Sequence, residues 1–183
     1  LAPEFAESRV TIPARFNGAA GLETEIALAD WSLNVIGLKQ NLVLTLDDIK
    51  RLPRTEMITE FKCIEGWSTI VHWAGVRFSD FVEHYAPELK PQDLPRYVSM
   101  TTPDEKYFVA WDIESILHPQ TLLAYEMNGE PLTNEHGAPL RLASPTKYGI
   151  KQIKRIGRIE FTAERPRDFW ADPQYGYDWY AGH

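Results

Sequence analysis

The sequence predicts an α+β domain of mixed sheets, built from many short strands and a few short helices, and three observations predict it. Many short strand-like runs are separated by turn signals, and residues 31–38 alternate apolar with polar, the period-two signature of a half-buried strand. The helical stretches are short and do not alternate regularly with the strands, which argues against a helix bundle or a doubly wound sheet. The 183 residues include 11 glycines and 13 prolines, a turn-rich chain without collagen-like or low-complexity character. With 44% apolar and 25% charged residues, the chain suits one core of ordinary size. We expect a single domain over residues 1–183, with an irregular opening at 1–30 and a coil-rich tail at 165–183.

The elements follow in order. Residues 1–30 carry Pro3, Pro13, Gly18 and Gly21 and read as irregular chain. Residues 31–38 alternate as a strand, and 42–46 form a second. Thr45 or Asp47 caps a short helix that runs to Leu52 and stops at Pro53. Residues 57–64 read as a buried strand. Ser79 is suited to cap a helix over 80–85, closed by Pro87. Residues 97–102 and 107–111 pair as a hairpin around Pro103-Asp104, and 112–117 make a helical turn. Residues 122–127 form a strand followed by Asn128-Gly129, a dipeptide suited to a tight hairpin turn. Residues 140–143 and 153–162 are further strands. The tail from Arg165, rich in aromatics, Pro and Gly, wraps the surface as ordered coil.

Nineteen Lys and Arg against 26 Asp and Glu give a net charge of −7. A general nucleic-acid binder is excluded, because phosphate contacts need excess positive charge. The charge is nevertheless uneven. No Asp or Glu occurs between His136 and Ile159, where Arg141, Lys147, Lys151, Lys154, Arg155 and Arg158 all fall. Such a block is either a solvated basic strand face or a local anion site. Gly149 within it lets backbone approach a ligand closely. A Walker loop and a dinucleotide glycine fingerprint are both absent.

Cys63 is the only cysteine, so no internal disulfide exists. A single cysteine is most simply a small buried hydrophobe. In Lys62-Cys-Ile-Glu-Gly-Trp-Ser68 it stands where a strand opens into a loop, and a thiolate there can ligate a metal or act as a nucleophile. Zinc is poorly supported, since there is no second cysteine and the five histidines show no short ligand spacing. Glu65 is a loop carboxylate that could exchange protons near a metal. No stretch approaches the length of a membrane span. The chain starts at Leu1 rather than Met, as a processed or trimmed N-terminus does, so a signal peptide or anchor would lie outside it.

Taken together and in order, several segments resemble the sulfite-oxidase-fold molybdenum enzymes. They are Lys62-Cys-Ile-Glu-Gly-Trp-Ser68, Trp73-Ala-Gly-Val76, His118-Pro119, Asn128-Gly-Glu-Pro-Leu132, His136-Gly-Ala-Pro-Leu-Arg141 and Lys147-Tyr-Gly-Ile-Lys151. Within that family the pattern is most similar to the periplasmic methionine-sulfoxide reductase catalytic subunits, which share a Glu-Arg-Pro and a Tyr-Gly-rich tail, here Glu164-Arg-Pro166 and Tyr175-Gly-Tyr177. The resemblance implies a molybdopterin-binding domain with molybdenum carried by one molybdopterin. Cys63 would be the protein's only direct metal ligand. Asn17, Thr102, His136, Arg141, Gly149, Ile150 and Lys151 would contact the cofactor. Histidine at 136 is more like the sulfite oxidases, and the Phe-Tyr-rich segment that follows the early asparagine is replaced by Gly18-Ala-Ala-Gly21.

The implied activity is oxygen-atom transfer, with reduction of a sulfoxide-like or N-oxide-like substrate favoured and sulfite oxidation the alternative. A cofactor-free binding module of the same fold is a third reading. On an extended segment Glu65 would point to the same side as Cys63, as a proton carrier or substrate-positioning group. Its charge would repel sulfite and tolerate a neutral S=O group. Electrons would come from a separate haem or cytochrome partner, soluble or membrane-bound. The acidic remainder of the surface suits a basic partner. The resemblance implies a periplasmic location.

Overall fold

The computed structural model describes residues 1–16 and 18–182. In chain order its elements are β1 (Leu33–Ile36), β2 (Leu42–Leu44), α1 (Leu46–Lys50), β3 (Thr55–Lys62), β4 (Ser68–Arg77), α2 (Phe78–Tyr85), β5 (Tyr97–Thr101), β6 (Phe108–Asp112), α3 (Ile113–Ile116), β7 (Leu122–Met127), β8 (Glu130–Pro131), β9 (Arg141–Ala143) and β10 (Arg158–Thr162). One sheet has the order β2-β1-β10-β5-β6, antiparallel except for the parallel pair β1–β10. The second has the order β3-β4-β7-β8, with β9 also on β7. The architecture is the expected α+β one with mixed pairing and few helices. The sheets stay open, which corrects the barrel-like part of the expectation. Among the described residues no helix is long and apolar enough to cross a membrane.

The main core lies between the two sheets. Leu33, Val35, Val98, Met100, Val109, Trp111 and Ile159 from the first sheet meet Val76, Leu123 and Tyr125 from the second, with Phe78 and Phe81 of α2 alongside. The second sheet is apolar on its other face too, where Met57, Val71, Trp73, Leu122, Ala124 and Met127 cluster with Phe61 and Ala14. Period-two alternation accounts for both faces: Leu123 and Tyr125 point one way, Leu122 and Ala124 the other. That second face is covered by irregular chain rather than by another sheet.

Local chemistry explains most boundaries. Thr45 caps α1 in a reciprocal capping box with Asp48, and Asp112 caps α3 by accepting from the Ser115 N–H. Asn128 and Gly129 both take positive φ, 53° and 82°, as a tight turn between β7 and β8 requires. Ser79 does not cap α2: the helix continues directly from β4, Arg77 occupies the cap position without a side-chain bond, and Ser79 lies in the first turn. Strand β10 begins at Arg158, because residues 153–157 leave the ladder with Arg155 at φ 53°. The ten-residue β4 was not among the expected strands. Its inward residues Thr69, Val71 and Trp73 alternate regularly, but His72 and Gly75 obscure the pattern.

Gly75 stands where the β4–β7 register shifts. A Cβ there would run into the Leu123 carbonyl and come 2.7 Å from the Ala124 Cα. Both obstacles are backbone and cannot rotate away. We expect Gly75→Ala to cost about 3 kcal/mol through overpacking, read as a lower urea midpoint with an unchanged slope. An unchanged midpoint would show that the two strands can part without penalty.

Candidate active site

The site is built on the tip of the β3–β4 hairpin. Cys63 follows the last residue of β3, and its N–H donates to the Trp67 carbonyl at 2.9 Å. The Gly66 N–H donates to the Cys63 carbonyl at 3.0 Å, and Gly66 adopts φ 94°. This is a tight loop closed by a glycine bulge, and it leaves Cys63 buried at 7% exposure. Glu65 therefore sits on a turn and not on an extended segment. It still faces the same cavity as Cys63, and its carboxylate accepts from the Trp67 indole N–H at 3.3 Å.

The cavity has a volume of about 270 Å³. Its floor is the outer face of the second sheet, with Phe61, Thr69, Val71, Trp73 and Met127. Register explains their convergence, since Phe61 pairs with Thr69, and Met57 and Met127 both pair with Trp73. The walls are irregular chain: Arg15, Phe16, Gly18 and Ala20 on one side, His136, Gly149, Ile150, Gln152 and Lys154 on another, and Trp170 and Tyr177 from the tail. Gly149 is needed for packing, because a Cβ there would strike the Phe61 ring.

Arg141 is the most unusual group. It is only 2% exposed, and among the described residues it makes no ion pair with a carboxylate. Its guanidinium donates to the carbonyls of Leu142, His136 and Gln152 at 3.3, 3.0 and 3.3 Å. It also lies 4.7 Å from the Trp73 ring centroid. Burial pushes its pKa down to about 9. Lys154 donates to the Gly18 carbonyl at 3.0 Å. Burial, with the Arg141 charge adding to it, pushes its pKa down to about 8. Burial and then the same two cations lower His136, which favours the neutral imidazole. Three neighbouring groups thus hold their protons less tightly than usual, the condition an incoming anion would relieve.

The structure brings Cys63, Glu65, His136, Arg141, Gly149 and Ile150 to one cavity. It does not bring the Lys151 ammonium there. The 3-10 turn Gly149–Lys151 presents Ile150 to the cavity and sends the Lys151 side chain the other way. There Nζ bonds Asp168 Oδ2 at 2.5 Å and the Trp179 carbonyl at 2.6 Å, with Lys151 fully buried. Burial lowers its pKa, and Asp168 opposes that shift. Thr102 is likewise outside the cavity lining. Its hydroxyl donates to Asp104 at 2.7 Å and accepts from the Tyr107 N–H at 3.2 Å, bracing the β5–β6 turn. Asn17 lies outside the described residues.

The basic block is therefore not one anion site. Lys147 faces Asp112, Arg155 donates to the Ala138 and Thr24 carbonyls, and Arg158 pairs with Glu105. Sequence reasoning missed Arg15, Phe61, Trp73, Tyr107, Trp170 and Tyr177 as cavity residues. The alternation of Thr69, Val71 and Trp73 is the one local signal that could have revealed the floor. Nothing local marks Arg15 or the tail aromatics.

Lys154 is protonated below its lowered pKa and neutral above it. In protein without cofactor, affinity for sulfate, a dianion throughout this range, should fall as pH rises through about 8. Titration calorimetry should show that step in the unmodified chain and not in Lys154→Met. A step of equal size in both would assign it elsewhere.

Comparison with known proteins bears on this arrangement. Residues 20–170 match the oxidoreductase molybdopterin binding domain family. A protein of Azospira oryzae, provisionally named protein-methionine-sulfoxide reductase subunit YedZ1, is 35% identical over all of this chain and 68% of its own length. The protein-methionine-sulfoxide reductase catalytic subunits MsrP of Campylobacter jejuni and Xanthomonas campestris are 33% and 36% identical over 87% and 83% of the chain. The chain spans 59% and 52% of their lengths. The sulfane dehydrogenase SoxCD of Paracoccus pantotrophus shares the fold, with a TM-score of 0.72 over 82% of this chain and 42% of that one, at 22% identity. With the family match running from the end of the opening segment to the tail, the chain belongs to the oxidoreductase molybdopterin-binding family and is a molybdenum-dependent oxidoreductase domain of the sulfite oxidase fold whose cofactor is Mo-molybdopterin.

Proposed function

We propose that the domain reduces a sulfoxide-like or N-oxide-like substrate, free or carried on a protein, in the periplasm, with electrons from a haem or cytochrome partner. The observation that carries this reading is the meeting, in one cavity, of the chain's only thiol with a buried guanidinium that has no carboxylate partner among the described residues. That donor set fits molybdopterin: one soft sulfur for the metal, and cations beside aromatic and glycine surfaces for an anionic pterin. The relatives named for methionine-sulfoxide reduction support the choice of substrate class. When bound, the cofactor supplies two-electron redox chemistry and oxygen-atom exchange.

The chain's residues would do the rest. Cys63 would hold the metal through its thiolate. Arg141 and Lys154 would bind the cofactor's negative charge, with neutral His136 available to accept or donate a hydrogen bond. Phe61, Trp73 and Tyr107 would exclude water from the enclosed side. Reduction of an S=O group consumes two electrons and two protons and releases sulfide and water. Glu65, whose carboxylate is oriented by the Trp67 N–H, would pass a proton from solvent to the substrate oxygen during turnover. As the carboxylate between transfers it would disfavour an anionic substrate such as sulfite. The net charge of −7, with part of the basic complement committed internally, leaves an acidic surface suited to a basic redox partner.

Three measurements test this reading. Purified protein from cofactor-competent cells should hold about one molybdenum per chain by elemental analysis and reduce sulfoxides with a reduced dye as donor. Cys63→Ser should fold but lose the thiolate-to-metal absorption and turnover. Glu65→Gln should slow sulfoxide reduction by about a hundredfold, the lower range for loss of a general acid, while keeping its molybdenum. Efficient sulfite oxidation with no sulfoxide turnover would replace this reading with the sulfite-oxidase type.

A further inference from the structure

Residues 165–182 contain no helix or strand, yet they complete the cavity with Trp170 and Tyr177. Their principal anchors fall on residues that form or back the cavity wall. Asp168 accepts from Lys151 Nζ and from the Ala110 N–H, at 2.5 and 2.9 Å. The Trp179 carbonyl accepts from the same ammonium. The Ala181 carbonyl accepts from the Tyr148 N–H at 3.0 Å, and Gly182 bridges Lys147. The Trp170 indole N–H donates to the Tyr107 hydroxyl at 3.0 Å, and that hydroxyl donates to the Ile150 carbonyl at 2.7 Å. The segment 147–151 is thus lined by the cavity on one side and held by residues 165–182 on the other.

We propose that residues 165–182 act as a strap whose docking and the filling of the cavity stabilise one another, with Asp168 and Tyr107 as the positioning residues that couple them. The inference rests on the reading that the cavity holds molybdopterin. A ligand touching Gly149, Ile150, Trp170 and Tyr177 meets all four only when the strap is docked, so it binds that state more tightly. Linkage then requires the converse: a docked strap retains the ligand, and an empty cavity loosens the strap. The segment has no ladder of its own and residues 173–178 are exposed, so its hold on the body is concentrated in the anchors named above and it is the natural unit of local opening. Opening would remove Trp170 and Tyr177 from the cavity lining and strip Lys151 of its carboxylate.

Limited trypsinolysis of the full chain tests the coupling. Arg167 is exposed, with 78% of its side chain accessible, and the Arg167–Asp168 bond adjoins the main anchor. Arg51, 76% accessible at the end of α1, is an internal standard away from the strap. Protein from cells unable to make molybdopterin should be cut after Arg167 at least tenfold faster than loaded protein, with cleavage after Arg51 unchanged. In loaded protein, Asp168→Asn should speed that cut and, in parallel, molybdenum loss on gel filtration. Trp170→Phe keeps an aromatic ring, removes the bond to Tyr107, and should do the same to a smaller degree, which covers the case that Asp168→Asn fails to fold. Equal cutting after Arg167 with and without cofactor, matching acceleration at both arginines, or a loosened strap with full molybdenum retention would each overturn the proposal. None of these readouts uses sulfoxide turnover, so a wrong substrate class leaves the result intact. Protein that takes up no molybdenum in competent cells would sink both readings.

Discussion

The second sheet has to be covered on both faces, and only one cover is another sheet. Strand β7 turns Leu123 and Tyr125 to the main core and Leu122 and Ala124 to the other side. A sheet satisfies its own backbone groups in its ladder, but irregular chain cannot, and a buried unpaired carbonyl is costly. The chain over the second face answers with long polar side chains. Arg141 serves the carbonyls of His136, Leu142 and Gln152, Arg155 that of Ala138, Lys151 that of Trp179, and Gln152 that of Lys147.

This explains why the basic block is free of acids over 136–159. Several of its cations are donors to backbone carbonyls, so a neighbouring carboxylate would compete for them. The exceptions are Lys147, Lys151 and Arg158, whose carboxylate partners Asp112, Asp168 and Glu105 all come from other segments. The arrangement leaves positive charge at Arg141 and Lys154 beside a cavity, with backbone carbonyls among the partners of both. Their lowered pKa values are the electrostatic cost of that placement. The same covering chain therefore closes the fold and brings a thiol and buried cations to one cavity, the site proposed for the cofactor.

Cooperation between regular and irregular parts also locates the chemistry. The hairpin tip is closed by the Cys63 N–H bond to the Trp67 carbonyl, and the floor strands are held in register by their ladders. The walls are held by side chains, several of them across long stretches of sequence. On the proposed function, such a site would combine a metal ligand on a hairpin tip with walls that respond to occupancy.

What the sequence by itself determined is what depends on neighbours in the chain. The alternation in β1, the short apolar runs of β5, β6 and β7, the Thr45 cap, the Asn128-Gly129 turn and the single cysteine at a strand end are local patterns, and the ordered motifs carried the family resemblance. The tertiary structure alone decided where side chains point when the partner is distant. Lys151 and Ile150 are adjacent, yet only Ile150 meets the cavity, because Asp168 and Trp179 capture the ammonium from 17 and 28 residues away. Glu65 keeps its place near Cys63 through a turn set by Gly66, not through the extended backbone that local spacing suggested. Trp170 and Tyr177 reach the cavity only once their segment has folded back over it. Local propensity has a range of a few residues, whereas burial and ion pairing act between whatever the fold brings together, and most of this site's walls are made that way.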